Sequence, residues 1–368
     1  MDGLHLGTKH TAMIITEPRI DIRPIGTSRL ASTDLENLKF GRVFTDHMYV
    51  MDYVDGAWQQ PVIRAYEDES LSPATLVLHY AQTIFEGMKA YKNERGEVSL
   101  FRPQANIARM NRSAARMAMP AIPEDVFLDG LKQLVKIDAA WVPEGKEAAL
   151  YIRPFMYADD EYIGVKPSDN YRFAIFICPV RGYYQEPLRV KLELQYSRAF
   201  PGGTGAIKCG GNYAGGLYPS KMAQNEGYHQ LLWTDAMEHK YIEESGTMNV
   251  FFIIDGVLTT PSLDGTILPG ITRDSILTLA RDKGLPTVER KVSVEEVLAA
   301  AKAGKLNAAF GAGTAATIAP IAAIGHAGGV IDLPEPGADN EVMKLGTMLD
   351  DIRRGRTADK HGWMVRAS

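Results

Sequence analysis

The densest run of glycines in the chain, PGGTGAIKCGGNYAGG at residues 201–216, surrounds one lysine, Lys208. Glycine loses more conformational freedom on folding than any other residue, so an ordered segment this rich in glycine needs a reason. One reason is that bare backbone can approach a bulky planar group closely. A solvated lysine in a flexible surface loop is the simpler alternative. The apolar neighbours Ile207 and Cys209 favour a packed site, where an amine partly removed from water can form an imine.

Three other segments have features of a phosphate site. LPGITRD places Ile271 and Thr272 at a predicted helix start, where free backbone N–H groups attract anions. GAGTAA offers a second run of small residues with the hydroxyl of Thr314. Arg109 lies in a predicted helix, and its guanidinium suits bidentate phosphate contacts. Each signal is weak alone, because Pro-Gly helix starts are common and most helix arginines are solvated.

A phosphorylated pyridine cofactor would also need a carboxylate, because an anionic partner keeps a pyridine nitrogen protonated. The segment IEESGTMN supplies one at Glu244. An acidic surface loop would show the same letters, so Glu244 is a candidate only in combination with the other segments.

Four motifs in order resemble the aminotransferases of fold type IV, which use pyridoxal 5'-phosphate (PLP), and in particular the branched-chain amino-acid aminotransferases. They are KCGGNY at 208–213, EESGTMN at 243–249, LDGTILPGITR at 263–273 and GAGTAA at 311–316. The N-terminal segments FGRVFTDHM, LHYAQTIFEGMKAY, LFRPQANIARM and YIRPFMY are similar to the same family. The likeness runs from about residue 35 to the C-terminus, and several motifs in the right order make a chance match improbable.

The resemblance implies a role for each cofactor residue. Lys208 forms the Schiff base with PLP and later moves a proton between substrate and cofactor. Glu244 contacts the pyridine nitrogen, and Tyr213 contacts the phenolic oxygen of the ring. The phosphate is held by Arg109, Ile271, Thr272 and Thr314.

The resemblance also implies a substrate pocket with an apolar side and a polar side. Its apolar side consists of Phe40, Phe85 and Tyr183, its polar side of Tyr80, Tyr151 and Arg153, and its carboxylate-binding backbone of Thr314 and Ala315. Arg153 would help to bind the second carboxylate of 2-oxoglutarate or glutamate. The residues themselves support this for Arg153, because an unpaired charge in an apolar strand is costly. For the three aromatic residues, ordinary packing is an equally good interpretation.

The activity implied is reversible ping-pong transamination between L-leucine, L-isoleucine or L-valine and 2-oxoglutarate, in biosynthesis or degradation. D-amino-acid aminotransferases and an aminodeoxychorismate lyase share the fold, and a PLP- or amino-acid-binding regulator without turnover is a further alternative.

Ile163 and Val165 lie in a segment, EYIGV, that reaches the partner subunit's active site in the family, which implies a homodimer. Ala316 and Ala319 occupy the positions of a CxxC pair found in some members, which excludes thiol regulation by that route. Cys209 is best interpreted as a small buried residue.

Helix-type and strand-type segments are mixed without regular alternation, which predicts an α/β (α+β mixed) fold of two domains. The predicted parts are an N-terminal arm (1–35), a smaller α/β domain (36–180), an interdomain linker (181–187) and a larger PLP-binding domain (188–368). Asp55-Gly56 and Asp255-Gly256 are typical of type I′ hairpin turns. Helical spacing predicts helices over 103–119 and from 124 to about 140, and Ser293 with Glu296 forms a capping box.

The charge balance argues against several other classes of protein. A net charge of −5 gives no basic field for nucleic acid or an anionic membrane. The sequence has no apolar run long enough to span a bilayer and no signal-peptide pattern at its start. Its two cysteines lack metal-type spacing, which predicts no metal site and a reduced, cytoplasmic protein.

Overall fold

The computed structural model describes residues 20–145, 147–182, 186–334, 337 and 340–367. Within them, the helices are α1 (Val77–Tyr80), α2 (Pro103–Arg116), α3 (Glu124–Ile137), α4 (Gly210–Ala214), α5 (Leu217–Asn225), α6 (Ile271–Asp282), α7 (Val294–Lys302) and α8 (Glu341–Arg353), with 3₁₀ turns at Leu30–Ser32 and Ala139–Trp141. The strands are β1 (Asp21–Ile22), β2 (His47–Val54), β3 (Ala57–Trp58), β4 (Val62–Ala65), β5 (Thr83–Phe85), β6 (Met88–Lys92), β7 (Val98–Phe101), β8 (Ala149–Ala158), β9 (Tyr171–Val180), β10 (Leu188–Leu192), β11 (Gln230–Thr234), β12 (Tyr241–Ser245), β13 (Met248–Ile254), β14 (Val257–Thr260), β15 (Thr287–Glu289), β16 (Val292–Ser293), β17 (Leu306–Gly313), β18 (Thr317–His326), β19 (Gly329–Asp332) and β20 (Met364–Arg366).

The first sheet is built from the N-terminal half and receives the last strand of the described chain. Its order is β1-β4-β2-β9-β8-β6-β7-β20, with β3 on β2 and β5 on β8. The predicted turn at Asp55-Gly56 is confirmed, because both residues have positive φ (54° and 77°) between β2 and β3. The predicted helices are confirmed as α2 and α3, which pack their apolar faces into the core of this half.

The second sheet contains a closed ring of six strands. Its order is β15-β14-β13-β17-β18-β10-β11-β12-β16, and an additional pairing of β12 with β13 closes β13-β17-β18-β10-β11-β12 on itself. The hairpin turn at Asp255-Gly256 is also confirmed, between β13 and β14. Closure leaves these strands without free edges. It also fixes the β12–β13 turn and the β17–β18 turn relative to each other.

Alternation along β13 separates two cores, as expected for a strand with two buried faces. Val250 and Phe252 pack with β10, β18 and α7. Phe251 and Ile253 pack instead with α6 and α8 and with residues of the first sheet such as Phe101. The second of these cores therefore joins the two halves of the chain, and the first sheet packs against α6 and α8.

Two strands extend the first sheet beyond the range predicted for the N-terminal domain. Within the predicted arm, Asp21–Ile22 pairs in parallel with β4. Met364–Arg366, in the range predicted for the C-terminal domain, pairs with β7. The predicted linker 181–187 lies partly outside the described residues. The capping box is confirmed in half: the Ser293 hydroxyl accepts from the Glu296 backbone N–H at 3.1 Å, whereas the Glu296 side chain pairs with Arg290.

Candidate active site

Lys208 lies where the glycine-rich segment meets β5 of the first sheet. Its backbone N–H donates to the Ser113 hydroxyl (3.1 Å), and its carbonyl accepts from the Phe85 N–H (3.0 Å). Ile207 and Cys209 are buried while Lys208 is half-buried, so the flanking side chains hold the segment in the core. The lysine side chain is less buried than its two neighbours and extends toward the rings of Phe85 and Tyr213.

The Lys208 side chain ends beside two aromatic rings. Its Nζ donates to the Tyr213 hydroxyl at 2.8 Å and lies 4.7 Å from the centre of the Phe85 ring. Tyr213 is on α4, the short helix that follows the lysine, and its ring packs against Phe85 with centroids 4.9 Å apart. The predicted amine is thus held by the phenol of a residue five positions later in the chain.

Glu244 is a buried carboxylate on β12 at the turn into β13. One oxygen accepts from the Leu268 N–H at 2.8 Å, and the other lies 3.3 Å from Nε of Arg198. Burial raises the pKa of Glu244, and Arg198, the Leu268 N–H and the charges of Lys208 and Arg109 oppose that rise. The positive charges of Lys208 and Arg109 therefore interact with the carboxylate of Glu244.

The N-terminus of α6 begins three residues after Leu268, the residue that contacts Glu244. Gly270 is its N-cap, and the amides of the first turn have no acceptor within the helix. The Asn249 side chain donates to the Leu268 carbonyl at 2.9 Å and fixes the approach to the helix. The backbone therefore runs from the Leu268–Glu244 contact into the N-terminus of α6, a kind of helix end that favours anions. Thr272 is buried in its first turn.

Arg109 is buried on α2 and is paired with Glu86, a residue that sequence analysis did not select. Its Nε and Nη2 donate to the two carboxylate oxygens at 2.7 and 2.8 Å, and its Nη1 donates to the Pro269 carbonyl at 3.0 Å. Burial opposes ionisation of Glu86, but Arg109, with help from Lys208 and Asn106, holds the pKa of the carboxyl below its usual value. Arg109 thus reaches the start of α6, and its contact with a phosphate stays a prediction.

The β17–β18 turn is tied to the first sheet by two polar contacts. The Thr314 hydroxyl donates to the Gly87 carbonyl at 3.0 Å, and Nζ of Lys89 donates to the Ala315 carbonyl at 2.7 Å. Burial lowers the pKa of Lys89 to about 7. Lys89 was not selected from the sequence, although a lysine inside the apolar strand GMKAY presents the same signal that selected Arg153.

The predicted pocket residues Phe40, Tyr151, Arg153 and Phe85 form a chain of contacts in that order. Arg153 donates to the Tyr151 hydroxyl at 3.0 Å, and its guanidinium lies 4.7 Å from the centre of the Phe85 ring. The Phe40 ring meets Tyr151 edge-on, with centroids 4.9 Å apart. Among the described residues, no carboxylate lies within 4.0 Å of Arg153. A half-buried cation without a carboxylate partner can pair with a carboxylate from a ligand.

Close packing explains the glycine in FEGMKAY. An added Cβ at Gly87 would lie 2.3 Å from the Tyr151 hydroxyl, so the close approach of Tyr151 to β6 requires glycine.

The Tyr80 hydroxyl donates to the Ile163 carbonyl, and Ile163 and Val165 expose 66% and 86% of their surface. Tyr183 lies outside the described residues.

The described part of the chain offers neither a metal cluster nor a membrane-spanning helix. It contains no group of three or more His, Cys, Asp or Glu side chains placed to hold a metal ion. None of its helices combines the length and the apolar character needed to cross a bilayer.

Comparison with known proteins identifies the family of this site. The model of the amino-transferase class IV family matches residues 83–324, a span that includes Lys208, Tyr213 and Glu244. The chain belongs to this family. Branched-chain-amino-acid aminotransferase 2 of Bacillus subtilis (strain 168) is 45% identical over 339 residues, which cover 91% of this chain and 93% of the relative.

Solved structures have the same fold. The branched-chain aminotransferase of Thermoproteus uzoniensis, crystallised with norvaline, matches with a TM-score of 0.72 and 25% identity, over 88% of this chain and 100% of its own. A T.th. branched-chain amino acid aminotransferase, complexed with N-(5'-phosphopyridoxyl)-L-glutamate, matches with a TM-score of 0.70 and 22% identity, over 86% and 98%. At that identity the second likeness shows the fold alone. The predicted fold class, a two-domain mixed α/β protein of fold type IV, is confirmed.

The residues fit a phosphorylated pyridine aldehyde. Such a cofactor needs an amine for its aldehyde, an acid for its ring nitrogen and donors for its phosphate. Lys208, Glu244 and the first turn of α6 supply these groups, and the Leu268–Glu244 bond sets the acid beside the approach to that turn. Tyr213 adds a hydroxyl beside the amine.

Proposed function

We propose that the protein is a branched-chain amino-acid aminotransferase that uses PLP to move an amino group between L-leucine, L-isoleucine or L-valine and 2-oxoglutarate. The family membership and the 45% identity to a named branched-chain enzyme support the activity. The observation that carries the site assignment is the contact between Nζ of Lys208 and the Tyr213 hydroxyl. The charge of Lys208 also acts on Glu244, where it opposes the rise in pKa that burial causes.

PLP, when bound, supplies an electron sink for the pair released from the substrate's Cα–H bond. Nζ of Lys208 would be the acid–base group that takes the Cα proton of the substrate and later gives it back. Tyr213 holds this amine in position through its hydroxyl. Glu244 would hold the ring nitrogen, and its buried carboxylate would offset a positive charge there.

The phosphate would be bound by the backbone N–H groups of Ile271 and Thr272, by the Thr314 hydroxyl and by Arg109. The support is positional: Arg109 donates to Pro269, immediately before α6, and the β17–β18 turn lies against β6. Glu86 would act as a positioning residue for Arg109, because its two bonds fix the plane of the guanidinium.

The substrate pocket would recognise a carboxylate at each end of the acidic substrates. The backbone of Thr314 and Ala315 is proposed for the α-carboxylate. Arg153, which lies beside Tyr151 without a carboxylate partner in the described chain, is proposed for the second carboxylate of glutamate. Phe40 and Phe85 would flank a branched aliphatic chain, so that one pocket accepts both classes of side chain. Tyr80 and Tyr183 complete the proposed pocket.

We further propose a homodimer, in which the loop carrying Ile163 and Val165 completes the partner's pocket. The support is their exposure, since apolar side chains so open to water commonly mark contact surfaces. The domain ranges 36–180 and 188–368, with the linker 181–187 between them, are part of the proposal. So is a cytoplasmic location, which the free buried thiols of Cys178 and Cys209 support.

The testing experiment measures glutamate formation from 2-oxoglutarate by purified, PLP-loaded protein, with L-leucine, L-isoleucine, L-valine and D-alanine offered separately. The proposal expects turnover of the three L-branched substrates and none of D-alanine. Turnover of D-alanine alone would identify a D-amino-acid aminotransferase. A yellow, PLP-bound protein without turnover would favour the lyase or the regulator.

A further inference from the structure

The loop of residues 314–316, which joins β17 to β18, ends at a residue in an unusual conformation. Gly313 and Thr317 are paired across the two strands, so three residues form the loop. Thr317 has φ = 63°. Three-residue hairpin loops place a left-handed residue at this end, usually glycine. For a β-branched residue this conformation is a genuine outlier that persists only if the surroundings enforce it.

Arg353, on the last turn of α8, makes the contact that can enforce it. Its Nη1 donates to the Thr317 hydroxyl at 2.8 Å. Arg353 is only 4% exposed, and its guanidinium lies over the ring of Phe101, 4.3 Å from its centre, and near that of Tyr91, at 5.4 Å. Both rings belong to the first sheet, so the arginine links α8, the first sheet and the β17–β18 loop.

Burying Arg353 in this way costs desolvation free energy. No carboxylate of the described chain lies within 4.0 Å of it, and its Nε has no hydrogen-bond acceptor there. Burial accordingly lowers the pKa of its guanidinium. A hydrophobic side chain in the same place would avoid the desolvation of a charge. Beyond its contacts with the rings of Phe101 and Tyr91, the hydrogen bond to a strained loop residue gives a specific reason for an arginine here.

We propose that Arg353 is a positioning residue for substrate binding: its hydrogen bond holds Thr317 in the left-handed conformation and thereby aims the backbone N–H groups of loop 314–316 at the substrate's α-carboxylate. This inference rests on the proposed function, which assigns that carboxylate to the loop. Its new content is that the loop's binding geometry is imposed from α8, by a residue that does not touch the substrate.

The test removes the bond and then restores the loop conformation by another route. Arg353→Met removes the donor, and Thr317→Val removes only the acceptor. Thr317→Gly supplies a residue that adopts the left-handed conformation without help. The probe is 4-methylpentanoate, the leucine skeleton without its amino group, titrated into each PLP-loaded variant by its effect on the cofactor's absorbance.

R353M and T317V are each expected to raise the dissociation constant of 4-methylpentanoate about tenfold, and to raise the KM for leucine more than they lower kcat. In the R353M background, T317G is expected to bring the dissociation constant back to within about threefold of wild type. A rise that T317G does not reverse would overturn the proposal, because the arginine would then act through its charge alone. An unchanged dissociation constant in R353M or T317V would overturn it as well.

Arg354→Met is the matched control. Arg354 is the next residue, is almost as buried, and donates to Asp350 and the Ala148 carbonyl instead of the loop. The R354M variant is expected to bind 4-methylpentanoate as the wild type does, even if its melting temperature falls.

A ligand-free measurement keeps this inference separate from the proposed function. In cofactor-free protein, T317G should raise the melting temperature more in the R353M background than in wild type, because only there is the strained threonine unsupported. Wild-type protein that neither binds 4-methylpentanoate nor transaminates would overturn the proposed function, while this coupling would still decide the link between Arg353 and Thr317. If R353M does not fold, the dissociation constant of 4-methylpentanoate is measured instead for T317V and for T317V combined with R353K.

Discussion

Lys208 combines a rigid backbone with an amine free to change partners. Its N–H and carbonyl are bound to Ser113 and Phe85, whereas Nζ contacts the Tyr213 hydroxyl and aromatic faces. Lys208→Ala removes this amine without disturbing the backbone bonds. We expect transamination to fall to background, by at least about a thousandfold, while the melting temperature of the cofactor-free protein stays within a few degrees of wild type. Lys221→Ala, an exposed lysine on α5, is the control. Normal turnover by K208A would remove Lys208 from the mechanism.

Glu244 illustrates how a catalytic charge can oppose folding. We expect Glu244→Gln to retain PLP but to lose roughly 10²- to 10³-fold in kcat, because an amide cannot offset a charge on the ring nitrogen. A buried acid whose pKa is raised costs folding free energy once the pH exceeds its unfolded value. Cofactor-free E244Q should therefore melt at least as high as wild type at about pH 7, and this advantage should shrink as the pH falls toward about 4. Wild-type kcat in E244Q would show that another group partners the ring.

The sequence predicted the chemistry of single residues better than their pairing. Lys208 and Arg153 stand out from their neighbours, as a lysine among glycines and a charge in an apolar strand, whereas Glu244 and Tyr213 were selected only together with the motifs that resemble the family. Glu86 carries the same signal inside TIFEGM, but its partner Arg109 lies 23 residues away on another element. Pairings of that kind depend on how α2 packs on β5, and local sequence does not contain that information.

At the scale of elements, α6 tests whether the helix start binds the phosphate. An added Cβ at Gly270 would lie 1.9 Å from the Asn249 side-chain oxygen, so Gly270→Ala must displace either the helix start or Asn249. We expect the dissociation constant for PLP to rise by roughly tenfold or more, measured by titrating cofactor-free protein. Gly284→Ala is the matched control at the other end of α6. Its φ of 74° is unfavourable for alanine, but nothing lies within 4 Å of the added atom. G284A should lose stability and keep its PLP affinity; equal loss of affinity in both variants would contradict the prediction.

Turns and helices governed by local chemistry were predicted closely, whereas three elements near the C-terminus were not. The two Asp-Gly turns and helices α2 and α3 follow from turn geometry and from a 3.6-residue period, and all four are confirmed. The strands β18 and β20 and the helix α8 were not predicted. Strand β20 is three residues long and exists through its pairing with β7, which lies far earlier in the chain. A segment so short has no periodicity from which a strand could be inferred.

At the scale of the whole molecule, the site depends on two halves being held in register. The ring of β13-β17-β18-β10-β11-β12 fixes Glu244 and loop 314–316 on one side. Lys89, Glu86 and Arg153 come from the first sheet on the other side. The shared core of Phe101, Phe251 and α8, together with the return of β20 to the first sheet, ties these halves together. A site divided in this way has exact geometry only if both halves fold.

The proposed dimer extends the same logic to a second subunit. Val165 is 86% exposed on the loop that Tyr80 anchors through Ile163. We expect Val165→Asp to weaken self-association, because a carboxylate at a subunit contact must lose its water, and to lower activity with it as the protein is diluted. Sedimentation velocity over a range of concentrations, with kcat/KM measured at each, gives both quantities. Val330→Asp places the same charge on another exposed valine, on β19, and should change neither. A V165D protein that sediments as the wild type does, at every concentration, would place the subunit contact elsewhere. A wild-type protein that is monomeric and fully active would show that one chain completes its own pocket.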